Sequence, residues 1–483
     1  MNDISEKQAT AGTPASVTRV APSGDGDALD QALRHAAAAH RAGRLAEAVQ
    51  GYGRVLRTRP YSAELHNNVG VALRSMGKLE SAIAHYRTAL ALEPHNPALH
   101  SNLGNALRGA NRLDEALEHQ IQAVRLDENH LEGFHNLGVN LRELGRIDEA
   151  LACFYRVLQL HPQEVRAQVE IATTRLMRGE LEQGFADYEA RKLMPDYHAP
   201  DLKQPEWRGE DLTGLTLLIY PEQGLSEALM FARFIPMLRQ RGARVVMLCQ
   251  PLLRDLFRLM PEIDSVVAEG EPLPGYDLHI AMLSLPHRLG VQATTIPVPV
   301  PYLNAPPRAR IGLGSLPRTK LKVGIFWAAM PGQLADRQRS IGLEHFLALV
   351  DSPEILFFSL QGGAPQKDLD RLEAHTVLPD VGRGIFDFAE AASVLTQIDL
   401  LVTIDAPIAH LAGGMGVPVW TLVPYVADWR WMIGRSDSPW YPSMRLFRQP
   451  APGDWQAVFK AVHEALHGLL AAVSQTADSP AQA

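Results

Sequence analysis

The sequence has little of what secreted or membrane-spanning proteins need. Two cysteines, Cys153 and Cys249, occur in 483 residues, and both lie in apolar settings, so neither a disulfide framework nor a cysteine-based zinc site is expected. No apolar run approaches the roughly 20 residues that span a bilayer. The first residues, MNDISEKQATAGTP, lack the apolar core of a secretory signal. We therefore expect a cytoplasmic protein without a membrane span.

An excess of basic charge is also missing. The chain has 46 Lys and Arg against 54 Asp and Glu, a formal net charge of -8. Because no block of like charges interrupts the sequence, a nucleic-acid partner is not expected. At 483 residues the chain exceeds what one hydrophobic core usually supports, so we expect at least two domains.

A period of 34 residues dominates the first two hundred residues. It relates Ala48, Ala82, Ala116 and Ala150, then Tyr52, Tyr86, Gln120 and Phe154, and also Gly70, Gly104 and Gly138. This spacing and residue order match the tetratricopeptide repeat (TPR), a helical hairpin closed by small residues. We expect residues 1–28 to be disordered, and a TPR array at 29–198 with hairpins at about 29–62, 63–96, 97–130 and 131–164 and capping helices after them.

Asparagines recur at one position of the central repeats, Asn68, Asn102 and Asn136. At about 100° per residue, the packing positions of the second repeat centre roughly 150° away from Asn68, so the amides are expected to face the concave groove. A row of amides can pair with the backbone of an extended peptide whatever its side chains. We therefore predict peptide binding, the alternative being that asparagine only solvates a helix face.

Strand-like apolar runs alternate with helical stretches in the C-terminal half. The runs lie at 215–220, 243–250, 321–327, 354–361 and 399–405. This alternation predicts parallel α/β structure, which a proline-rich segment near 297–307 divides into halves. The predicted fold class is α plus α/β: after the helical solenoid come a linker at 199–212, two Rossmann-like lobes at 213–305 and 320–472, and a disordered tail at 473–483.

Strings at the strand ends carry a family resemblance. They read PEQGLSEALMFARF, WAAMPGQLADRQRSI and DAPIAHLAGGMGVPVW, with DWRWMIGRSDSPWYPSMRLFRQ further on. Over about 205–450 they resemble the C-terminal domain of bacterial TPR proteins related to family 9, heptosyltransferase-like glycosyltransferases. The asparagine spacing is similar to that of O-linked N-acetylglucosamine transferases. The resemblance implies a GT-B fold and inverting, metal-independent sugar transfer without a cofactor, the nucleotide-sugar donor binding in the second lobe.

The resemblance also implies a catalytic base. Related enzymes usually have Gly-Asp where this chain has Ser226-Glu227, and the acid there is taken to deprotonate the acceptor. Glu227 is therefore the predicted catalytic residue, although it is longer by one methylene. Other positions depart from the family pattern by losing polar or charged side chains, namely Ala329, Met330, Ala406 and Val417.

Predicted donor-binding residues follow the strands of the second lobe. Asp405 is expected to cap the helix PIAHLAGG, leaving the free N–H groups of that helix for a diphosphate. His410 is expected to donate to the diphosphate or to the ribose of the nucleotide. Arg337 and Arg339 are expected to bind phosphate oxygens bidentately, and Gln361 is assigned to the same site. The alternatives are an ordinary helix cap, a buried histidine and surface arginines, and no metal site is predicted.

The leading hypothesis is a protein-directed glycosyltransferase. The TPR groove would hold a polypeptide acceptor, as in flagellin-modifying enzymes of similar architecture, and the second lobe would present the sugar to a Ser or Thr hydroxyl. The alternative is a non-catalytic TPR scaffold protein with a degenerate glycosyltransferase-like domain, which the departures above motivate. Transfer to a lipid or saccharide is less favoured because it needs no peptide groove.

Overall fold

The computed structural model of the chain describes residues 24–297, 300–314, 320–329 and 339–477. The chain divides into two compact units, Met1–Thr174 and Arg175–Ala483. Of the segments predicted to be disordered, residues 1–23 and 478–483 lie outside the described residues. Residues 24–28 and 473–477 are helical instead, because an established helix gains one hydrogen bond for each residue that it adds.

Antiparallel helical hairpins make up the first unit. Its helices are α1 (Gly24–Arg41), α2 (Leu45–Thr58), α3 (Ala63–Ser75), α4 (Leu79–Leu92), α5 (Pro97–Gly109), α6 (Leu113–Leu126), α7 (Leu131–Glu143) and α8 (Ile147–Leu160). Consecutive pairs correspond to the four predicted hairpins, which are confirmed. α9 (Val165–Met177) spans the division between the units, and α10 (Leu181–Tyr188) follows it.

Small residues let the two helices of a hairpin touch. A Cβ atom added at Gly70 would lie 2.6 Å from Tyr86 Cε1, and one added at Gly138 would lie 2.6 Å from Phe154 Cε1. The aromatic rings of the second helix therefore occupy the space above the glycines of the first. The periodic alanines are buried in the same layer: Ala48, Ala82, Ala116 and Ala150.

A four-stranded parallel sheet begins the α/β part of the second unit. Its strands are β1 (Thr216–Tyr220), β2 (Arg244–Cys249), β3 (Ser265–Ala268) and β4 (Leu278–Ala281), in the order β3-β2-β1-β4. β1 and β2 confirm predicted strands. β3 and β4 have four residues each, too short for a clear alternation in the sequence.

A second parallel sheet has five strands. They are β5 (Leu321–Phe326), β6 (Ile355–Ser359), β7 (Leu400–Ile404), β8 (Val419–Val423) and β9 (Met444–Arg448), in the order β6-β5-β7-β8-β9. The three predicted strands of this half are confirmed. β7 is buried along its whole length, as expected for a central strand of a sheet covered on both faces.

Helices lie between the strands of both sheets and after the last strand. They are α11 (Leu225–Phe231), α12 (Ile235–Gln240), α13 (Arg254–Phe257), α14 (Leu285–Leu289), α15 (Leu343–Leu347), α16 (Lys367–Arg371), α17 (Phe388–Leu395), α18 (Pro407–Met415) and α19 (Trp455–Ala477). Within the described ranges, no helix is both long enough and apolar enough to cross a membrane.

Candidate active site

Each sheet of the second unit has a point at which the strand order reverses. In the first sheet this point lies between β1 and β4, and in the second sheet it lies between β5 and β7. Helices that follow the two strands at such a point diverge and leave a crevice at the carboxyl ends of the strands, where ligands bind in open α/β folds. The segments that follow these four strands therefore contain the candidate site.

A buried ion-pair network occupies the carboxyl end of β1. Arg191 donates to both carboxylate oxygens of Glu222, from Nε at 3.1 Å and from Nη2 at 2.8 Å. The backbone N–H of Leu283, after β4, donates to the same carboxylate at 3.1 Å. Arg191 also donates to Ser284 Oγ at 2.9 Å and to Glu189 Oε1 at 2.8 Å. Arg191 thus ties the segment after α10 to both strands of the reversal point.

Glu227 is buried in the first turn of α11 without a full set of partners. The residue is 1% exposed. Its Oε1 accepts the backbone N–H of Glu222 at 3.3 Å, and among the described residues its Oε2 has no hydrogen-bond partner. Burial, followed by the negative charge of Glu222, raises the pKa of Glu227 to about 8. The carboxyl group can therefore take up or release a proton near neutral pH, as a general base must.

Asp405 belongs to a second charged cluster, at the carboxyl end of β7. Burial, followed by the charge of Asp428, raises the pKa of Asp405, while the charges of Arg339 and Arg430 oppose this shift. Arg430 Nη1 donates to Asp428 Oδ1 at 2.8 Å, and its guanidinium lies 4.5 Å from the centroid of the Trp429 ring. Asp428, Arg339 and Arg430 thus lie close enough to Asp405 to affect its charge.

The prediction that Asp405 caps the following helix is wrong. The N-cap residue of α18 is Ala406, and Pro407 is the first helical residue. Ala406 has an extended backbone, so the helix begins one residue later than a cap at Asp405 would require. Alanine offers no side-chain acceptor, which leaves the first turn without a side-chain cap.

His410 lies inside α18, enclosed by aromatic rings. The residue is buried completely. Trp431 stacks on the imidazole with 5.0 Å between ring centroids, and Nδ1 is 2.9 Å from Tyr441 Oη. Burial, followed by the charge of Arg430, lowers the pKa of His410 well below its usual range, so the ring is neutral. Contact with a diphosphate, which stays a prediction, would require the rings around His410 to move.

Arg233 joins the two halves of the second unit. α11 packs against α18, and Arg233, two residues after α11, donates to the carbonyl of Trp440 at 2.7 Å and to Tyr302 Oη at 3.2 Å. Its guanidinium lies 4.7 Å from the centroid of the Tyr441 ring. The charge is therefore met by a carbonyl, a hydroxyl and aromatic faces. Arg233 thus links the segment after α11 to the segments that contain Tyr302 and Trp440.

Gln361 stabilises the end of the second sheet. Its Oε1 accepts the backbone N–H groups of Trp327 at 3.1 Å and Ala328 at 2.9 Å. Its Nε2 donates to the carbonyls of Ala328 at 2.9 Å and Gly362 at 3.0 Å. The amide thus makes four hydrogen bonds inside the protein, and a contact with a donor, still a prediction, would have to replace one of them.

The predicted phosphate-binding arginines are described in part. Arg337 lies outside the described residues, as does Met330. Arg339 follows that segment, and its charge lowers the pKa of Asp405 against the effect of burial. Ser340 Oγ accepts the backbone N–H of Ala329 at 3.1 Å, which ties the segment that contains Arg339 to the end of β5.

Two of the three predicted asparagines connect neighbouring repeats. Asn102 Nδ2 donates to Asn67 Oδ1 at 2.8 Å, and Asn136 Nδ2 donates to Ser101 Oγ at 3.1 Å. Asn68, like the other two asparagines, is half-buried. These bonds align the amides along the first helices of successive repeats, and peptide binding by them stays a prediction.

Several charged residues of the site were not among the predicted ones. Arg233 had a local signal, because it stands in the apolar run ALMFARFIP, and a buried arginine must find partners. Arg430 lies between two tryptophans, a similar signal. The sequence around Arg191 and Glu222 gave no local signal, because the two residues that pair are 31 positions apart.

Comparisons with known proteins identify the repeats. Models described as tetratricopeptide repeat match residues 95–163 and 135–195, and one described as TPR repeat matches residues 70–109. The N-terminal region is a tetratricopeptide-repeat array. Protein FlbA of Caulobacter vibrioides is 26% identical to this chain over 329 aligned residues. The alignment covers 62% of this chain and 54% of FlbA. The chain thus spans about half the length of this curated relative.

Solved structures resemble part of the chain. The MamA protein has 16% identity and a TM-score of 0.31, and the match covers 36% of this chain and 99% of MamA. YrrB, described as a TPR protein with an unusual peptide-binding site, has 21% identity and a TM-score of 0.30, with 37% of this chain and 95% of YrrB covered.

Proposed function

We propose that this protein transfers a sugar from a nucleotide-sugar donor to a polypeptide held by its TPR array, in the manner of a GT-B glycosyltransferase. The observation that carries the proposal is Glu227, a buried carboxyl group with a pKa near 8 and one oxygen without a partner among the described residues. It lies after β1, at the reversal point of its sheet. Groups with strongly shifted pKa values at such positions are candidates for catalysis.

Glu227 would act as the general base. In its carboxylate form it accepts the proton of a Ser or Thr hydroxyl, and the hydroxyl oxygen attacks the anomeric carbon of the donor sugar. The bond between that carbon and the diphosphate oxygen breaks, and the nucleoside diphosphate leaves with the bonding electron pair. A single displacement of this kind inverts the configuration at the anomeric carbon.

The charged cluster at the end of β7 would stabilise the leaving group. A departing diphosphate gains negative charge, and guanidinium groups neutralise it with paired hydrogen bonds. Arg339 is suited to this role because it lies near Asp405 at the reversal point of the second sheet, and Arg337 would join it. Arg430 is already paired with Asp428 and would hold the cluster in place.

Binding of the donor would require the two sheets to move apart. Glu227 and His410 are both buried, and α11 packs directly on α18. The described conformation would therefore be the closed one, in which the reacting groups are shielded from water. Domain opening and closing around a ligand is common in two-lobed enzymes and involves a few hinge residues.

A second function is favoured by the same packing. If Arg233 and the rings around it hold the sheets together permanently, the α/β part is a scaffold and protein binding by the repeats is the whole function. The alanine at position 406, where the related enzymes carry a hydroxyl residue, agrees with this alternative. The two functions differ in one measurable property, namely whether nucleotides bind to the second unit.

Thermal shift and calorimetry with UDP, GDP, CMP, ADP and their common sugar conjugates separate the two functions. Wild type is compared with Arg339→Gln and, as a control, with Arg371→Gln, whose side chain is 57% exposed on α16. A ligand at 100 times its dissociation constant stabilises the unit that binds it by about 2.7 kcal/mol. We expect one nucleotide class to stabilise wild type and the control but not Arg339→Gln, because the diphosphate then lacks its guanidinium partner.

Catalysis is tested with the donor that binds. Glu227→Gln should leave donor binding intact and abolish release of the nucleoside diphosphate. Unchanged release by this variant would remove Glu227 from the mechanism. Absence of nucleotide binding at millimolar concentration would refute the transferase and leave the protein-binding function.

A further inference from the structure

Three potential metal ligands converge away from the reversal points of the sheets. Asp351 lies between α15 and β6, and His463 and His467 lie one turn apart on α19. Asp351 Oδ2 is 2.6 Å from His463 Nε2 and 3.4 Å from His467 Nε2. The two Nε2 atoms are 3.2 Å apart. Nothing in the proposed transfer reaction uses these groups.

Hydrogen bonds alone satisfy this cluster poorly. If both imidazoles donate an Nε2–H group to Asp351, two donors face each other across 3.2 Å, which is unfavourable. If one Nε2 is unprotonated, it presents a lone pair to the carboxylate. A cation in the place of the hydrogens removes this conflict, because all three atoms can then act as ligands.

The spacing agrees with tetrahedral coordination. Ligand atoms at about 2.0–2.1 Å from a tetrahedral Zn²⁺ lie roughly 3.3–3.4 Å from one another. Two of the three observed separations, 3.2 Å and 3.4 Å, are close to this value, and only the 2.6 Å contact must lengthen. The side chains of Asp351 and His463 are 42% and 39% exposed, so they have room for that adjustment.

The packing of α19 brings the ligands together before any metal binds. Phe459, one turn before His463, packs edge-on against Phe346 of α15 with 5.0 Å between ring centroids. Residues four apart share one face of a helix, so Phe459, His463 and His467 all lie on the side that faces α15 and the segment after it. The hydrophobic contact thus fixes the helix that presents the two imidazoles.

We propose that Asp351, His463 and His467 form a binding site for a divalent transition-metal ion, Zn²⁺ foremost. Two imidazoles and a carboxylate suit Zn²⁺, whereas Mg²⁺ and Ca²⁺ prefer oxygen ligands alone. Three protein ligands leave the fourth tetrahedral position open to water or to a further ligand. The bound ion joins α19 to the segment between α15 and β6.

Titration of the full chain with ZnCl₂ tests the site, with CoCl₂ as a spectroscopic probe of tetrahedral coordination. We expect one Zn²⁺ per chain, and affinity at least about tenfold weaker in His467→Gln and in Asp351→Asn. His375→Gln is the matched control. His375 follows α16 and is hydrogen-bonded at 2.8 Å to Asp370 of that helix, so the pair resembles His463 and Asp351 but has no second imidazole beside it. Its affinity should equal that of wild type.

The melting temperature without metal shows whether each variant is folded. The three replaced side chains, Asp351, His375 and His467, are 42%, 41% and 45% exposed, so the metal-free variants should melt at the same temperature as wild type. Only wild type and His375→Gln should gain stability from ZnCl₂. Equal Zn²⁺ affinity in folded His467→Gln and wild type would overturn the proposal. So would an absence of binding to wild type at millimolar ZnCl₂.

Discussion

Replacing Glu227 by glutamine should make the second unit more stable at neutral pH. Glutamine has the shape of the protonated acid and can still accept the backbone N–H of Glu222, which lies 3.3 Å from Oε1. It differs in having no proton to gain or lose. The substitution therefore removes the free energy that wild type spends on keeping a buried carboxyl group protonated.

The magnitude follows from the two pKa values. In the unfolded chain the carboxyl group titrates near its ordinary value of 4.5, and in the folded protein it titrates at about 8. Because the folded state binds the proton more tightly, the stability of wild type is greatest below pH 4.5 and falls as the pH rises through 8. The cost is about 3 kcal/mol at pH 7 and about 1–2 kcal/mol at pH 5.5, since one pKa unit corresponds to roughly 1.4 kcal/mol.

Melting curves of wild type and Glu227→Gln between pH 5.5 and pH 8 measure this difference. At about 2 °C per kcal/mol, the variant should melt about 6 °C higher at pH 7 and about 3 °C higher at pH 5.5. Glu222→Gln is the control, because it breaks the buried pair with Arg191, which should cost about 3–5 kcal/mol. A gain that does not grow with pH, or a loss of stability in Glu227→Gln at pH 7, would show that folding does not raise the pKa of Glu227.

Further predictions concern the reaction and the repeats. Transfer by wild type should rise with pH up to about 8, because Glu227 must lose its proton to act as base; a rate independent of pH between 6 and 9 would contradict this. Gly70→Ala should lower the stability of the repeats by about 1–3 kcal/mol, since its Cβ would meet Tyr86 at 2.6 Å. Gly53→Ala, whose Cβ meets no described atom within 4 Å, should raise the stability of the repeats by about 0.5–1 kcal/mol. Equal melting temperatures for Gly70→Ala and Gly53→Ala would contradict the close contact between Gly70 and Tyr86. Asn102→Ala should cost about 1 kcal/mol through its lost bond to Asn67, measured in urea, and an unchanged midpoint would show that the bond contributes nothing.

The repeats were predictable because the residues that recur every 34 positions are the ones that pack the two helices of a hairpin together. A small residue recurs in the first helix where the aromatic ring of the second helix must fit, as Gly70 does beside Tyr86. Strands β1, β2 and β5 to β7 were visible as apolar runs for a similar reason, since a strand covered on both faces is apolar at every position. β3 and β4, with four residues each, fall below the length at which such a run stands out.

A site residue could be predicted only where its position in the sequence, such as the end of a predicted strand, indicates a role. Glu227 and Asp405 could be chosen because they follow predicted strands, and both lie at the reversal points. Their environment could not be predicted, because it depends on distant partners. Arg191 reaches Glu222 from a segment before the sheet, and the contacts of Arg233 lie 69 and 207 residues away in the sequence.

The two candidate functions make opposite demands on Glu227. A permanently closed scaffold would be served better by glutamine at this position, since the buried acid costs about 3 kcal/mol at pH 7 and forms no ion pair with any residue that the structure describes. An enzyme needs that acid, because a base that titrates near neutral pH is obtained by burying a carboxyl group beside another negative charge. Higher stability combined with lost transfer in Glu227→Gln would therefore be the expected signature of a catalytic residue. Higher stability without any transfer activity to lose would leave protein binding as the function.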